Sequence, residues 1–377
     1  MRTCHTPLSR RGFLSIGAVS FLSAAEGEAG FHSLFDGRTL QGWSVREGPE
    51  TAFYVDDHAI AVHPGANFPT WLRSAKQYEN FDFRGEFYLK GWMDSGIYLH
   101  APEHGRNVWS GFAIKLFHQE EPKPASNSCG AIFPIVAPKL VKVNNKGQWN
   151  TFRILFDWPS LQVWMNDAQV QDVNVESNPE LRYRLRRGYL GFESLSYPIR
   201  FRNLRVRELP SKETWQPIDD LSQWFISDGK PVFQNLGGIL RAEGLGNLAT
   251  KALYKDFELH SYIRTSRWQN GGVLFRSSGE GTRGRRAYEI QLHNVEGSHF
   301  PTGSLYHYKR ASYPRIADEQ WWLFQLIVQG RAVVVRINGE NVLEYDQLDN
   351  VEPGHIEVQA HQAGTWAEFK DLKLKVL

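Results

Sequence analysis

The chain says the same thing twice. Phe81-Asp82-Phe83 returns as Phe257-Glu258-Leu259, and Gly96-Ile97-Tyr98-Leu99-His100 as Gly272-Val273-Leu274-Phe275-Arg276, each 176 positions later. Gln148-Trp149 is answered by Gln320-Trp321, Asn166-Asp167 by Asn338-Gly339, and Phe201-Arg202-Asn203-Leu204 by Phe369-Lys370-Asp371-Leu372. Solenoid repeats run to roughly 20–50 residues. A period this long means two whole domains of one fold, and 377 residues suffice for two independent cores. Positions where the copies differ are therefore where function should be sought.

A net charge of +2 is too balanced for a dedicated nucleic-acid binder. The N-terminus reads as an address. Ser9-Arg10-Arg11-Gly12-Phe13-Leu14 has the form of a twin-arginine export signal, so residues 1–29 are expected to be a signal peptide and the protein periplasmic or extracellular. The apolar stretch from Gly12 to Ala25 is about 14 residues, too short to cross a hydrocarbon core of roughly 30 Å, and no other segment approaches that length. With Cys4 in the signal, Cys129 is left alone and is expected to be an inert packed thiol.

Neither copy carries a long segment of helical periodicity. Short alternating runs recur between turn signals, as in Phe152 to Phe156, Val333 to Ile337 and Phe369 to Val376. Asn338-Gly339 between two such runs predicts a tight hairpin, because both residues tolerate positive φ. The fold class is all-β: two tandem sandwiches, at residues 31–209 and 215–377, joined by the polar connector from Pro210 to Thr214. The loop-rich stretches 120–128 and 294–302 are expected either to wall a groove or to be solvated connectors.

In Tyr288-Glu289-Ile290-Gln291-Leu292-His293, strand alternation turns Tyr288, Ile290 and Leu292 inward and Glu289, Gln291 and His293 outward. Gln359 and His361 likewise oppose Val358 and Ala360, and Arg276 opposes Val273 and Phe275. If these strands adjoin, a carboxylate, a guanidinium, an imidazole and several amides converge on one face. Such a set suits hydroxyl-rich ligands, since every sugar OH both donates and accepts. Arg276 and Glu289 could equally be a solvated cross-strand ion pair, His361 a surface histidine and Glu357 a solvated carboxylate.

Ser33-Leu34-Phe35-Asp36-Gly37-Arg38-Thr39-Leu40-Gln41-Gly42-Trp43 resembles the N-terminal signature of the 3-keto-disaccharide hydrolase domain family, bacterial domains with a concanavalin-like jelly roll. Further hallmarks follow in the second copy: the glycine-rich strand to Phe275-Arg276, Tyr288-Glu289-Ile290-Gln291, Thr302-Gly303-Ser304-Leu305-Tyr306, Trp321, Asn338-Gly339 and Gln359-Ala360-His361. The resemblance implies glycosidic cleavage of an oligosaccharide or glycoside by elimination. A 3-keto group acidifies C2–H, a base removes that proton, the C1 oxygen leaves, and water adds back. On this basis Glu289 and His361 are expected to act as base and acid in either order. Arg276 would stabilise the enolate, while Gln291, Gln359, Tyr306 and His293 would orient the sugar. No metal-ligand motif stands out, although a divalent ion on Glu289 and His361 is conceivable.

The first copy departs from this pattern. Ala113 stands where the second has Glu289, Lys115 for Gln291, His100 for Arg276, Phe133 for Tyr306, Glu193 for Gln359 and Leu195 for His361. Either this copy is a degenerate, lectin-like or structural partner, or Lys115, Glu193 and His100 form a re-cast site of other specificity. For the whole chain, a non-catalytic carbohydrate-binding protein and a cell-surface scaffold are the competing readings.

Overall fold

The computed structural model describes residues 29–65, 70–119, 123–280, 286–314 and 316–377. The stretch expected to be an export signal lies outside these residues except for its last position, Ala29, as does the start of the 120–128 loop. Each copy is a jelly-roll sandwich of two antiparallel sheets, and the strand order is the same in both. The smaller sheet of the first contains β1 (Trp43–Arg46), β2 (Thr70–Tyr78), β3 (Asp94–Ala101), β4 (Phe112–Phe117) and β5 (Gly188–Ser194), in spatial order β1-β2-β5-β3-β4. That of the second contains β6 (Trp224–Gly229), β7 (Gly246–Thr250), β8 (Gly271–Ser277), β9 (Tyr288–Leu292) and β10 (His355–Ala360), ordered β6-β7-β10-β8-β9. A larger sheet backs each; in the second copy it includes Phe257–Thr265, Trp322–Gln329, Ala332–Ile337 and Trp366–Val376.

Alternating side chains fill the space between sheets. In the first copy Phe81, Phe83 and Phe87 meet Leu72, Ile97, Leu99 and Phe192; in the second Phe257, Leu259 and Ile263 meet Val273, Phe275, Ile290 and Val358. Each such residue contributes about 1.5–3 kcal/mol on burial, so each copy has a core of its own. The predicted hairpin is present: Asn338 (φ 51°) and Gly339 (φ 84°) join Ala332–Ile337 to Glu340–Tyr345. Asn166 (φ 46°) and Asp167 (φ 64°) make the same turn in the first copy. Cys129 is buried, which pushes its thiol up to about 11 and leaves it unreactive.

The two sandwiches meet along a polar seam. The outward face of the second copy's larger sheet lies under the first copy's loops around residues 103–110 and 181–187. Arg336 donates to the Tyr183 carbonyl, to Gln325 Oε1 (3.2 Å) and to the Gly339 carbonyl (2.5 Å), and Gln325 Nε2 also reaches Tyr183 O (2.8 Å). The Tyr262 hydroxyl accepts from the Glu103 N–H (2.8 Å), Lys370 pairs with Glu103 (2.6 Å), and Arg186 lies 3.1 Å from Glu213 and 3.4 Å from Glu258. The hairpin's glycine has a further use here, since a Cβ on Gly339 would lie 2.3 Å from the Trp109 carbonyl carbon.

This seam should loosen in acid. Burial works to raise Glu258, but His260 and Arg186 outweigh it and hold the carboxyl below its ordinary 4.5. A depressed folded value means that the stabilisation is present above about 4.5 and is lost as pH falls through the folded value. The melting temperature is therefore expected to drop between about pH 5 and 3 more steeply than that of Glu258→Gln. Parallel profiles for the two proteins would contradict this assignment.

Candidate functional site

The outward face of the second copy's smaller sheet is organised around β8. Leu274 is paired with Glu289 of β9 on one side and Glu357 of β10 on the other, and Gly272 is paired with Gln291 and Gln359. The alternation read from the sequence is present, with Tyr288, Ile290, Leu292, Val358 and Ala360 inside. Gly272 is what lets the face work. A Cβ there would sit 2.7 Å from both Cγ and Oε1 of Glu289, so the Glu289 side chain runs along the sheet and sets its carboxylate over the glycine. That position lies in register between Gln291 and Gln359.

Both amides are oriented by neighbours. Gln291 Nε2 donates to Asn270 Oδ1 (2.7 Å), and His361 Nδ1 lies 3.3 Å from Gln359 Oε1. An Nδ1–H donating to Gln359 occupies the oxygen end of that amide and leaves its NH2 end to donate. The same tautomer leaves Nε2 of the exposed His361 ring as a proton acceptor. The His361 backbone N–H reaches Asn270 O (3.3 Å), and His293 Nδ1 approaches Gln269 O (2.8 Å), so one loop ties both histidines to the face. Tyr306 donates its backbone N–H to Glu289 O (2.9 Å), which places its half-exposed ring at the edge of β9. Glu289, Gln291, Gln359 and His361 are thus gathered, with His293 and Tyr306 on the rim.

Arg276 is not among them. The register shifts between Leu274 and Ser277, and Arg276 takes a positive φ of 51°, which breaks the alternation that would have turned it outward. Its fully buried guanidinium reaches the carbonyls of Lys255 (3.2 Å) and Asn350 (2.8 Å) and the Asp256 carboxylate (3.1 Å) at the end of the sandwich. It is tied there as a strut and makes no ion pair with Glu289. His100, its counterpart at φ 50°, does the same work in the first copy. Its ring stacks on Phe156 (4.6 Å), with its nitrogens against the carbonyls of Leu185 and Glu79, so His100 leaves the Lys115 and Glu193 set.

Glu357 is likewise not solvated. It is fully buried and accepts from Asn247 Nδ2 (2.7 Å), Ser227 Oγ (3.1 Å) and Ser277 Oγ. Enclosed this way, it holds Asn247 in place beside Gln359 and cannot meet a ligand. Two further residues escaped the sequence reading. Trp92 and Trp268 stand 57–61% exposed at the same repeat offset of 176, on the loops that enter β3 and β8. An exposed indole kept in both copies is not explained by a core, and its flat face suits a pyranose ring. The repeat was the signal that could have found it.

Among the described residues no group of three or more His, Cys, Asp or Glu side chains is placed to hold a metal ion. No helix among them is long and apolar enough to cross a membrane.

Residues 30–207 and 211–375 each match the 3-keto-alpha-glucoside-1,2-lyase-like domain. The chain belongs to this family. The lyase-like domain occurs in it twice, as the resemblance implied, and membership places the chain among carbohydrate-active proteins. Two crystal structures of glycosyl hydrolase candidates from Parabacteroides distasonis are each 20% identical over 48% of this chain. They are covered over 94% and 99% of their own length, with TM-scores of 0.43 and 0.42. The carbohydrate binding module CBM66 from Bacillus subtilis is 13% identical over 41% of this chain and 95% of its own, with a TM-score of 0.29. No curated protein matches the chain.

Proposed function

We propose that the chain is an exported enzyme that cleaves 3-keto-glycosides by elimination, on the outward face of β7-β10-β8-β9. The observation that carries this reading is the Glu289 carboxylate lying over Gly272, flanked by two amides whose orientations are fixed. Glu289 is positioned to take the C2 proton, which the neighbouring ketone has made acidic. The NH2 end of Gln359 supplies a donor for the enolate oxygen, a part that Arg276 cannot play from the end of the sandwich. His361, carrying a proton on Nε2 as well as the Nδ1–H held by Gln359, gives the Nε2 proton to the departing C1 oxygen, and readdition of water completes net hydrolysis. Trp268 and Tyr306 offer rim surfaces for the sugar rings.

An ordinary two-carboxylate glycosidase fits less well. Its second acid must reach the scissile bond or a water beside it, and Glu357 is enclosed by three donors. The decisive assay sets a 3-keto-disaccharide against its parent disaccharide. Cleavage of the keto form alone is expected. Equal rates on both would discard the elimination chemistry, and saturable binding of either sugar without turnover would favour a lectin.

A further inference from the structure

The same face of the first copy has not simply decayed. Strand register pairs Gly96 of β3 with Lys115 and Tyr98 with Ala113 of β4, and pairs Tyr98 with Gly191 of β5. Gly96 therefore corresponds to Gly272, and Glu193 to Gln359. The glycine slot is again filled by a carboxylate: a Cβ on Gly96 would lie 3.2 Å from Glu193 Oε2. In the second copy the acid comes from β9, on one side of the central strand. In the first it comes from β5, on the other side, and Ala113 stands where the first acid was. The acid has changed strands and kept its slot.

Its surroundings differ in kind. Trp71 replaces Asn247, and its ring covers Gly191, where a Cβ would meet it at 2.7 Å; Gly191 itself stands in place of Glu357. Tyr98 replaces Leu274 and donates its hydroxyl to Glu193 Oε1 (2.8 Å). Lys115 turns away to pair with Asp94, so Glu193 has no directly bonded cation among the described residues. Burial holds the Glu193 carboxyl above its ordinary range, against the pull of the Tyr98 hydroxyl. Arg73 of β2 lies across β5 from this slot and stacks its guanidinium over the Tyr189 ring (4.4 Å). A half-buried carboxyl with one hydroxyl partner keeps acceptor capacity that nothing else among the described residues uses. A ligand carrying hydroxyls would use that capacity, with Trp71 and Tyr98 packed beneath it.

We propose that this face of the first domain is a second carbohydrate site, in which Glu193 hydrogen-bonds the hydroxyls of a pyranoside. The proposal takes its ligand class from the function argued above but not the elimination chemistry. It is tested by calorimetry on the full chain carrying Glu289→Gln, which silences turnover, with methyl 3-keto-α-D-glucopyranoside and methyl α-D-glucopyranoside as probes. With at least one of them the stoichiometry is expected near two, falling to one when Glu193→Gln is added. Tyr98→Phe, which removes only the hydroxyl, should weaken that site about tenfold. A single site untouched by Glu193→Gln overturns the proposal and leaves the second-domain reading standing. A single site abolished by Glu193→Gln supports it and counts against the second-domain face as the place where sugar binds. No binding of either sugar overturns both.

Discussion

Glu289→Gln is expected to lower the rate of 3-keto-disaccharide cleavage by about 10²–10⁴-fold, the usual yield of one positioned acid–base group. The substitution keeps the shape of the side chain over Gly272 and removes only its ability to take a proton. Stability should change by less than about 1 kcal/mol, since the residue is half-buried and stands at no core position. KM should move little if the carboxylate acts chiefly in the transition state. Gly272→Ala offers an independent check. Its Cβ would displace the carboxylate, and a shift on the order of 1 Å already costs about 10²-fold. Full activity in either variant would remove Glu289 from the mechanism. Activity that survives Glu289→Gln but vanishes with Glu193→Gln would move the chemistry to the first domain.

Much of this site was legible because it rests on the simplest rule of a strand. Alternation alone put Glu289 and Gln291 on one face and Tyr288, Ile290 and Leu292 on the other, and the same rule grouped Gln359 with His361. Arg276 was misread by that rule, because a bulge and a positive φ inside β8 reverse the sense of the residue after Phe275. No local sequence signal marks that bulge, although His100 at the matching position shares its φ. Glu357 was misread for a different reason. Its partners Ser227, Asn247 and Ser277 arrive from three separate strands, and a solvated and an enclosed glutamate look alike until those strands are placed. The exchange of acids across the central strand is visible in the aligned copies as Ala113 against Glu289 and Glu193 against Gln359. Only the register shows that both carboxylates reach the same slot.

The seam was not legible at all, because its residues read as the solvated face of the second copy's larger sheet. Arg336 is the residue on which it turns. Burial pulls its guanidinium down to about 10, so it stays charged at neutral pH; it donates to Gln325 Oε1 and the Gly339 carbonyl, and shares the Tyr183 carbonyl with Gln325 Nε2. Hydrogen bonds to a charged group contribute about 1.5–3 kcal/mol each, and removing the donor strands its buried acceptors. Arg336→Ala should therefore destabilise the chain by about 3–5 kcal/mol, comparable to breaking a buried ion pair. Since each copy has its own core, the loss should fall on their coupling, and one unfolding transition should become two in calorimetry. Arg336→Lys should recover only part of the effect, because a single ammonium cannot reach acceptors spread across both sandwiches. The Glu289 face lies on the opposite sheet of the second sandwich, so turnover well below the first transition should be nearly unchanged. A single transition shifted by less than about 0.5 kcal/mol would show that the seam is mere contact between two independent domains. Loss of turnover in a folded Arg336→Ala protein would instead mean that the first domain reaches the chemistry through the seam.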